Sequence, residues 1–388
     1  MLIFNSLKMF VYRNLMKYYY YLLIVIIARI ISSCNNNTDK NLMSELSVDT
    51  IIWDDFDIRD GKTFFPEELV KTRRYVKLDS TPTFIFGGGD KIITRNNIYV
   101  LDMRQKKIII FDDQGAGLLV LHRVGQGPQE YLQITDFDVD DNGNIYIVDG
   151  ASDKLIVYDQ NGSFVSATKF SFEADLIHRL GNGNFLFGLS AWNKDVQTRG
   201  NRFAIVGEDM QIHSSFVAFD DYQDNMYWIS SYRFIKASNK ICYNKPIDDY
   251  VYIMSNMGLL VQAFYFDFGD ARIPFDWRKD VESNIDRIKE KYRCLKNHVV
   301  VTDKYIIGTL WDRTETKPFL VDLGQKKTYI GGTVAESDVS DFLDFTDNSV
   351  VSLLSTGKDD MFDLLDVPKD VQAHVAQENF ALMVTELL

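Results

Sequence analysis

The chain alternates short apolar runs with polar turns and carries few long amphipathic stretches. Asn97-Ile98-Tyr99-Val100-Leu101-Asp102 is followed, after a polar turn, by Ile108-Ile109-Ile110-Phe111-Asp112-Asp113-Gln114-Gly115. The pattern returns 47 residues later as Asn144-Ile145-Tyr146-Ile147-Val148-Asp149 and then Leu155-Ile156-Val157-Tyr158-Asp159-Gln160-Asn161-Gly162. Short runs of β-branched and aromatic residues bounded by Asp, Asn and Gly read as strands joined by tight turns. Each copy predicts two strands and an Asp-x-x-Gly turn that opens a third.

Fainter copies begin at Asn184, Lys240, Lys304 and Asn348, so six anchors follow one another at intervals of 40 to 64 residues. A period of that size with several strands per unit is the signature of propeller blades. Six anchors predict an all-β chain, a six-bladed β-propeller with four-stranded antiparallel blades. The arrangement has a physical basis: one blade cannot bury both of its faces, whereas radial stacking buries each against a neighbour. Arg74–Leu78, before the first anchor, and Phe380–Val384, at the end, can each add a strand to the last blade. One stretch breaks the pattern. Val281, Ile285, Ile288 and Tyr292 recur at helical spacing and predict a short helical insertion near 280–293, packed outside the ring or on one mouth.

The N-terminus carries a different signal. Lys17 precedes the apolar run 18–28, which leads to Ile31-Ser32-Ser33-Cys34. A charged region, an apolar region and small residues before a Cys make a signal peptide, and the tetrad resembles a bacterial lipobox. Its Cys would carry the lipid. The apolar run is shorter than the ~20 residues of a membrane span. Arg29 interrupts it, and a start at Met16 rather than Met1 would give a more compact signal. The chain is therefore expected to divide into a lipoprotein signal peptide (1–33), a lipid-attached tether and N-terminal segment (34–69) and the propeller (70–388). The lipid on Cys34 implies a membrane partner and a cell-envelope address. An Asn at position 35 fits sorting to an outer membrane, with the periplasmic and surface-exposed faces both open.

Composition narrows the partners. The net charge is −13, and without the four cations of residues 1–33 it becomes −17. Such a surface repels phosphate backbones and excludes nucleic acid. Past Cys34 the remaining cysteines are Cys242 and Cys294, which could pair in an oxidising compartment or stay as buried thiols.

The loop after the first repeat reads Gly125-Gln126-Gly127-Pro128-Gln129-Glu130-Tyr131. With the Tyr75-Val76-Lys77-Leu78 strand and the Asn-x-Tyr-x-x-Asp repeats, the chain resembles the six-bladed β-propeller lipoproteins of Bacteroidetes, NHL-like domains of unknown function. The resemblance covers roughly residues 70–388. The chain departs from it at Asn379-Phe380, where such proteins commonly carry Asn-Pro. The resemblance implies the architecture and no particular activity.

Motifs with chemical content are few. Asp138, Asp140 and Asn142, with Gly143 and Asp149, match the ligand spacing of a calcium loop, but Phe137, Val139, Ile145 and Ile147 alternate around them as in a β-hairpin. The turn reading is preferred, and no cofactor or metal is expected. Gly87-Gly88-Gly89 and Gly125-x-Gly127 open no helix with Lys-Ser/Thr and read as loop glycines. The usual strand order of a blade gathers Asp102, Arg104, Arg123, Glu130, Tyr131, Asp149, Lys154, Trp192, Trp311 and Arg313 around one mouth of the channel. Mixed charge and exposed rings there would suit a glycan or peptide. Equally, each Asp can cap its own turn and each Trp can pack between blades. Three functions follow: a binding or interaction scaffold for a glycan, peptide or protein partner; an enzyme, a lyase or hydrolase, using acids and aromatics of the mouth; or a structural docking platform.

Overall fold

A computed structural model describes residues 47–52, 56–58, 65–219, 233–245, 247–296, 298–331, 342–346, 348–356, 362 and 365–388. The expected signal peptide (1–33), Cys34 and the polar stretch that follows it lie outside the described residues. No helix among the described residues is long and apolar enough to cross a membrane.

Six antiparallel sheets form the six blades of a β-propeller. Every sequence anchor marks the second strand of a blade: Ile98–Asp102, Ile145–Asp149, Phe185–Leu189, Lys240–Asn244, Tyr305–Asp312 and Ser349–Leu354. The innermost strands precede them: Lys91–Thr94, Asp136–Val139, Ala174–Arg179, Ile235–Ala237, the pair Arg293–Leu295 and Val300–Val301, and Phe342–Phe345. Blades are numbered 1 to 6 in that order. The innermost strand starts on one rim, here the first rim, together with the turns between second and third strands. It ends on the opposite, second rim.

The ring closes with a strand from each end of the chain. Ala381–Leu387 is the third strand of blade 6, and Val70–Lys77 pairs with it antiparallel as the outermost, from Leu387 against Val70 to Ala381 against Lys77. Both terminal segments singled out in the sequence thus lie in the last blade. At the Asn379-Phe380 departure, the Phe380 ring stacks on Phe86 of the neighbouring blade 1 at 4.5 Å, and the Phe380 carbonyl accepts from Leu78 N–H. The stretch before residue 70 also forms strands: Ser47–Ile52 lies parallel to the outer strand of blade 4 and Phe56–Ile58 parallel to that of blade 5. Its composition gives no such signal, because partners in another blade supply the pairing.

The core lies between blades. Tyr99, Ile110, Phe137 and Ile145 fill the seam of blades 1 and 2, Phe172, Phe187 and Val148 that of blades 2 and 3, and Phe203, Ile241 and Tyr243 that of blades 3 and 4. Burying such a side chain contributes about 1.5–3 kcal/mol. The Asp-x-x-Gly turns repeat one device. Asp112 Oδ1 accepts from Gln114 and Ala116 N–H, and Asp159 Oδ1 from Asn161 and Ser163 N–H. Gly115 has φ +90°, and a Cβ there would lie 2.0 Å from the Lys77 carbonyl oxygen, so the turn requires glycine.

The helical insertion runs from Val281 to Lys291, capped by the Asp280 carboxylate on Ser283 N–H, with a shorter helix Phe275–Arg278 before it. Val281, Ile288, Trp277 and Trp311 pack together with Ile247, over the first-rim turn of blade 4. Beneath it Arg278 and Arg272 both bond Asp249 Oδ2 at 2.6 Å. Cys242 and Cys294 are free and buried, and burial pushes both thiols up to about 12. Cys242 Sγ accepts from Val301 N–H at 3.3 Å, tying blade 4 to blade 5.

Candidate functional site

An innermost strand has one edge without a ladder partner, so its N–H groups need acceptors from elsewhere. In this ring the neighbouring blade supplies them. Asp136 Oδ2 of blade 2 accepts from Ile177 N–H of blade 3, and Asp138 Oδ2 from Arg179 N–H. Asp344 Oδ2 of blade 6 accepts from both Thr94 N–H and Thr94 Oγ1 of blade 1 at 2.6 Å. Asn244 Oδ1 of blade 4 accepts from Val299 N–H of blade 5. Ionisable side chains are thereby drawn to the axis.

They line a narrow axial channel with about 30 Å³ of free space, within about 500 Å³ that includes open solvent. Every blade contributes: Lys91 and Arg95, Asp138, His178, Arg233 and Lys236, His298, and Asp344. Arg233 spans the axis. From blade 4 its Nη1 bonds Asp136 Oδ1 of blade 2 at 2.9 Å, while its Nη2 reaches Met103 Sδ of blade 1, the blade opposite. Lys91 Nζ shares the same Asp136 oxygen at 2.9 Å and bonds the Phe137 carbonyl at 2.6 Å. Two cations therefore share one fully buried carboxylate near the first rim.

Deeper along the axis, His178 Nδ1 lies 2.8 Å from Asp138 Oδ2. Burial acts to raise the Asp138 carboxyl, but the His178 ring, Lys91 and the Arg179 N–H outweigh it and hold it well below the usual carboxylate range. Asp344 shifts the other way: burial raises it against the opposing pull of Arg95 and of its bonds from Thr94. Burial, reinforced by the charges of Arg233, Lys296 and Lys91, depresses His298 to about 4. His298 also holds φ +62°, a left-handed backbone uncommon outside glycine.

The residues read from sequence as a mouth cluster fall on the first rim, and most are occupied there. Asp102 is buried and accepts from Gly87 and Gln105 N–H. Asp149 is fully buried and accepts from Leu132 and Gln133 N–H and from Ser152 Oγ. Tyr131 is buried, its hydroxyl bonding Lys106 and Leu121 carbonyls and Arg123 N–H. Glu130 Oε2 accepts from Gly127 N–H at 2.8 Å, and Lys154 Nζ bonds the Glu130 carbonyl. The Gly-x-Gly-Pro-x-Glu-Tyr loop thus holds itself shut and seals the seam of blades 1 and 2. Trp311 packs against the insertion, with Lys289 Nζ 5.3 Å from its ring. Arg104, Arg123 and Arg313 are exposed, as is Trp192 at 43%.

The calcium-like spacing resolves into a hairpin turn. Asp140 Oδ1 accepts from Asn142 and Asn144 N–H, its Oδ2 from Tyr146 Oη, while Asp138 is turned to blade 3. No group of three or more His, Cys, Asp or Glu among the described residues could hold a metal ion.

Sequence reasoning did not single out the channel residues as a set. A signal was present: Lys91, Asp138, His178 and His298 lie six residues before their blade's anchor, and Lys236 and Asp344 four before theirs. Even offsets place those within an innermost strand on one face of it, while His298 lies between Arg293–Leu295 and Val300–Val301.

A ring of six four-stranded blades, closed by strands from both ends and lined along its axis by one charged or titratable group or more per blade, defines a β-propeller with a polar channel. The sequence profile of a domain of unknown function, DUF4934, matches residues 57–369, and the chain belongs to that family. The fold is similar to the crystal structure of a Bacteroides fragilis protein described as exported, with TM-score 0.68 and 18% identity over 88% of this chain and all of that one. A member of the duf4221 family from Bacteroides vulgatus is similar at TM-score 0.48 and 9% identity, over 82% of this chain and 97% of that one. No curated protein matches the sequence.

Proposed function

We propose that this protein is a cell-envelope lipoprotein, held in an outer membrane by lipid on Cys34, whose propeller binds a small polar ligand in its axial channel. The observation that carries the reading is convergence. Six separate blades bring Lys91, Asp138, His178, Arg233, Lys236, His298 and Asp344 to one cavity, while the rim loops spend their polar groups on one another. A buried polar channel is costly unless its groups are satisfied, so the concentration of charge there points to a ligand rather than to stability alone. The lipobox-like Ile31-Ser32-Ser33-Cys34 and the exported relative support the address.

A polar group of a glycan or a peptide end suits the cavity's polarity. A thermal-shift screen of the purified protein against mono- and disaccharides and short peptides is expected to give hits that channel variants abolish. A screen without hits would remove the binding reading. Labelled fatty acid should enter the wild-type chain in cells and not Cys34→Ser.

One pair favours a second reading, a lyase or hydrolase. His178 beside the buried Asp138 has the form of an oriented general base. Turnover of a screening hit, lost in Asp138→Asn with ligand binding kept, would establish it.

A further inference from the structure

The formal charges along the channel balance, Lys91, Arg95, Arg233 and Lys236 against Asp90, Asp136, Asp138 and Asp344, but they are not all paired. Asp136 is shared by Lys91 and Arg233, both within 2.9 Å of one oxygen. Asp138 is opposed by His178, and Asp344 by Arg95 at 3.9 Å. Lys236, on the innermost strand of blade 4, also lines the cavity, and its ammonium has no hydrogen bond or ion pair among the described residues. His298 lines it from blade 5, likewise with neither ring nitrogen bonded to a described residue. The charges of Arg233, Lys296 and Lys91 act on His298 and disfavour its protonation. The cavity walls add Ile92, Ile93 and Ile235, which keep the local dielectric low and lengthen the reach of each charge.

A neutral sugar would want an aromatic platform, and Phe234 is the single aromatic residue of the lining. A cation would meet the Lys236 ammonium, and the buried carboxylates of the lining, Asp138 and Asp344, are already opposed by His178 and Arg95. An anion meets a free ammonium and an open imidazole. Lys236 is thus the cation of this lining whose ammonium is left without a partner among the described residues.

We propose that the channel binds the carboxylate of a small ligand, with Lys236 supplying the countercharge and His298 a hydrogen bond. This assignment rests on the channel's being the ligand site and names the group it recognises. The carboxylate can come from an acidic sugar or from a peptide C-terminus; the two sources share the chemistry and differ in what surrounds it.

The test uses matched pairs on the purified protein, read by calorimetry: galacturonate against galactose, and N-acetyl-dialanine against its C-terminal amide. At least one acid is expected to bind about tenfold or more tightly than its neutral partner, and to weaken as salt rises. Lys236→Gln should lose about tenfold in that affinity, Lys236→Arg should keep it, and Lys169→Gln, on an exposed outer strand, should leave it unchanged. The acid that binds identifies the source. Equal affinity for acid and neutral partner, or an acid affinity that ignores salt, overturns the carboxylate assignment while leaving a channel ligand standing. Salt dependence needs no variant, so it decides even if Lys236→Gln fails to fold. Absence of binding by both acids overturns the assignment too. The wider ligand screen then decides separately whether the channel binds anything.

Discussion

Two regions of the molecule use the same residue types for opposite ends. On the first rim, Asp102, Asp149 and Glu130 accept hydrogen bonds from backbone N–H groups of neighbouring loops. On the axis, Asp136, Asp138 and Asp344 also cap N–H groups, yet each keeps a cation or imidazole beside it that faces the cavity. The rim acids have completed their chemistry within the fold. The axial groups have not, because an innermost strand offers one edge to its neighbour and one face to the channel. A charged residue in a loop is thus weaker evidence for function here than a charged residue inside an apolar strand.

The comparison can be broken by substitutions on either side. The largest effect is expected from Asp149→Ala, which strips Leu132, Gln133 and Ser152 of a buried acceptor. It should cost about 3 kcal/mol or more in urea unfolding, since each stranded donor costs about 1–3 kcal/mol. Any ligand affinity that survives folding should be unchanged. Arg233→Met should cost about 2–3 kcal/mol by unpairing one side of Asp136, moderated because Lys91 remains on that carboxylate. It should also alter ligand affinity, since it clears the axis. If Arg233→Met moves only stability and Asp149→Ala moves affinity, the division between rim and channel is wrong.

Acid titration sharpens the contrast further. His298 is depressed to about 4 in the folded protein against about 6.5 unfolded, so the unfolded chain binds more protons between those values. Stability from this group is complete above about 6.5 and falls as the pH drops towards about 4, by at most about 1.4 kcal/mol per pH unit. His298→Gln should flatten that part of the pH–stability curve; an unchanged slope would exclude His298 as its source. The smallest effect is expected on the rim. Glu130→Ala removes one acceptor from Gly127 N–H and should cost about 1 kcal/mol, with no change in ligand binding.

The exposed ends of the first rim separate from its interior in the same way. Trp192, at 43% exposure, and Arg104, Arg123 and Arg313 have the accessibility a docking partner would need. Asp102, Tyr131 and Asp149 do not. Topology sends all seven to one rim, and burial then divides them, because the sequence gives a residue's place along a blade and not what a loop from the next blade lays over it.

The repeat determined most of the architecture. Alternating apolar positions and Asp-ended turns at six anchors depend on local periodicity and turn chemistry, which a sequence displays directly. The helix near 281–291 was legible for the same reason. Tertiary structure alone decided three things. It paired Ser47–Ile52 and Phe56–Ile58 with blades 4 and 5, where the partner strands lie more than 200 residues away. It showed that the Gly-x-Gly-Pro-x-Glu-Tyr loop closes on its own Glu130 rather than presenting it. It also gathered Lys91, Asp138, His178, Lys236, His298 and Asp344 on one axis. Each lies on or beside an innermost strand, far in sequence from the groups that face it across the axis. Their meaning arises only when radial closure brings six inner strands within reach of one another.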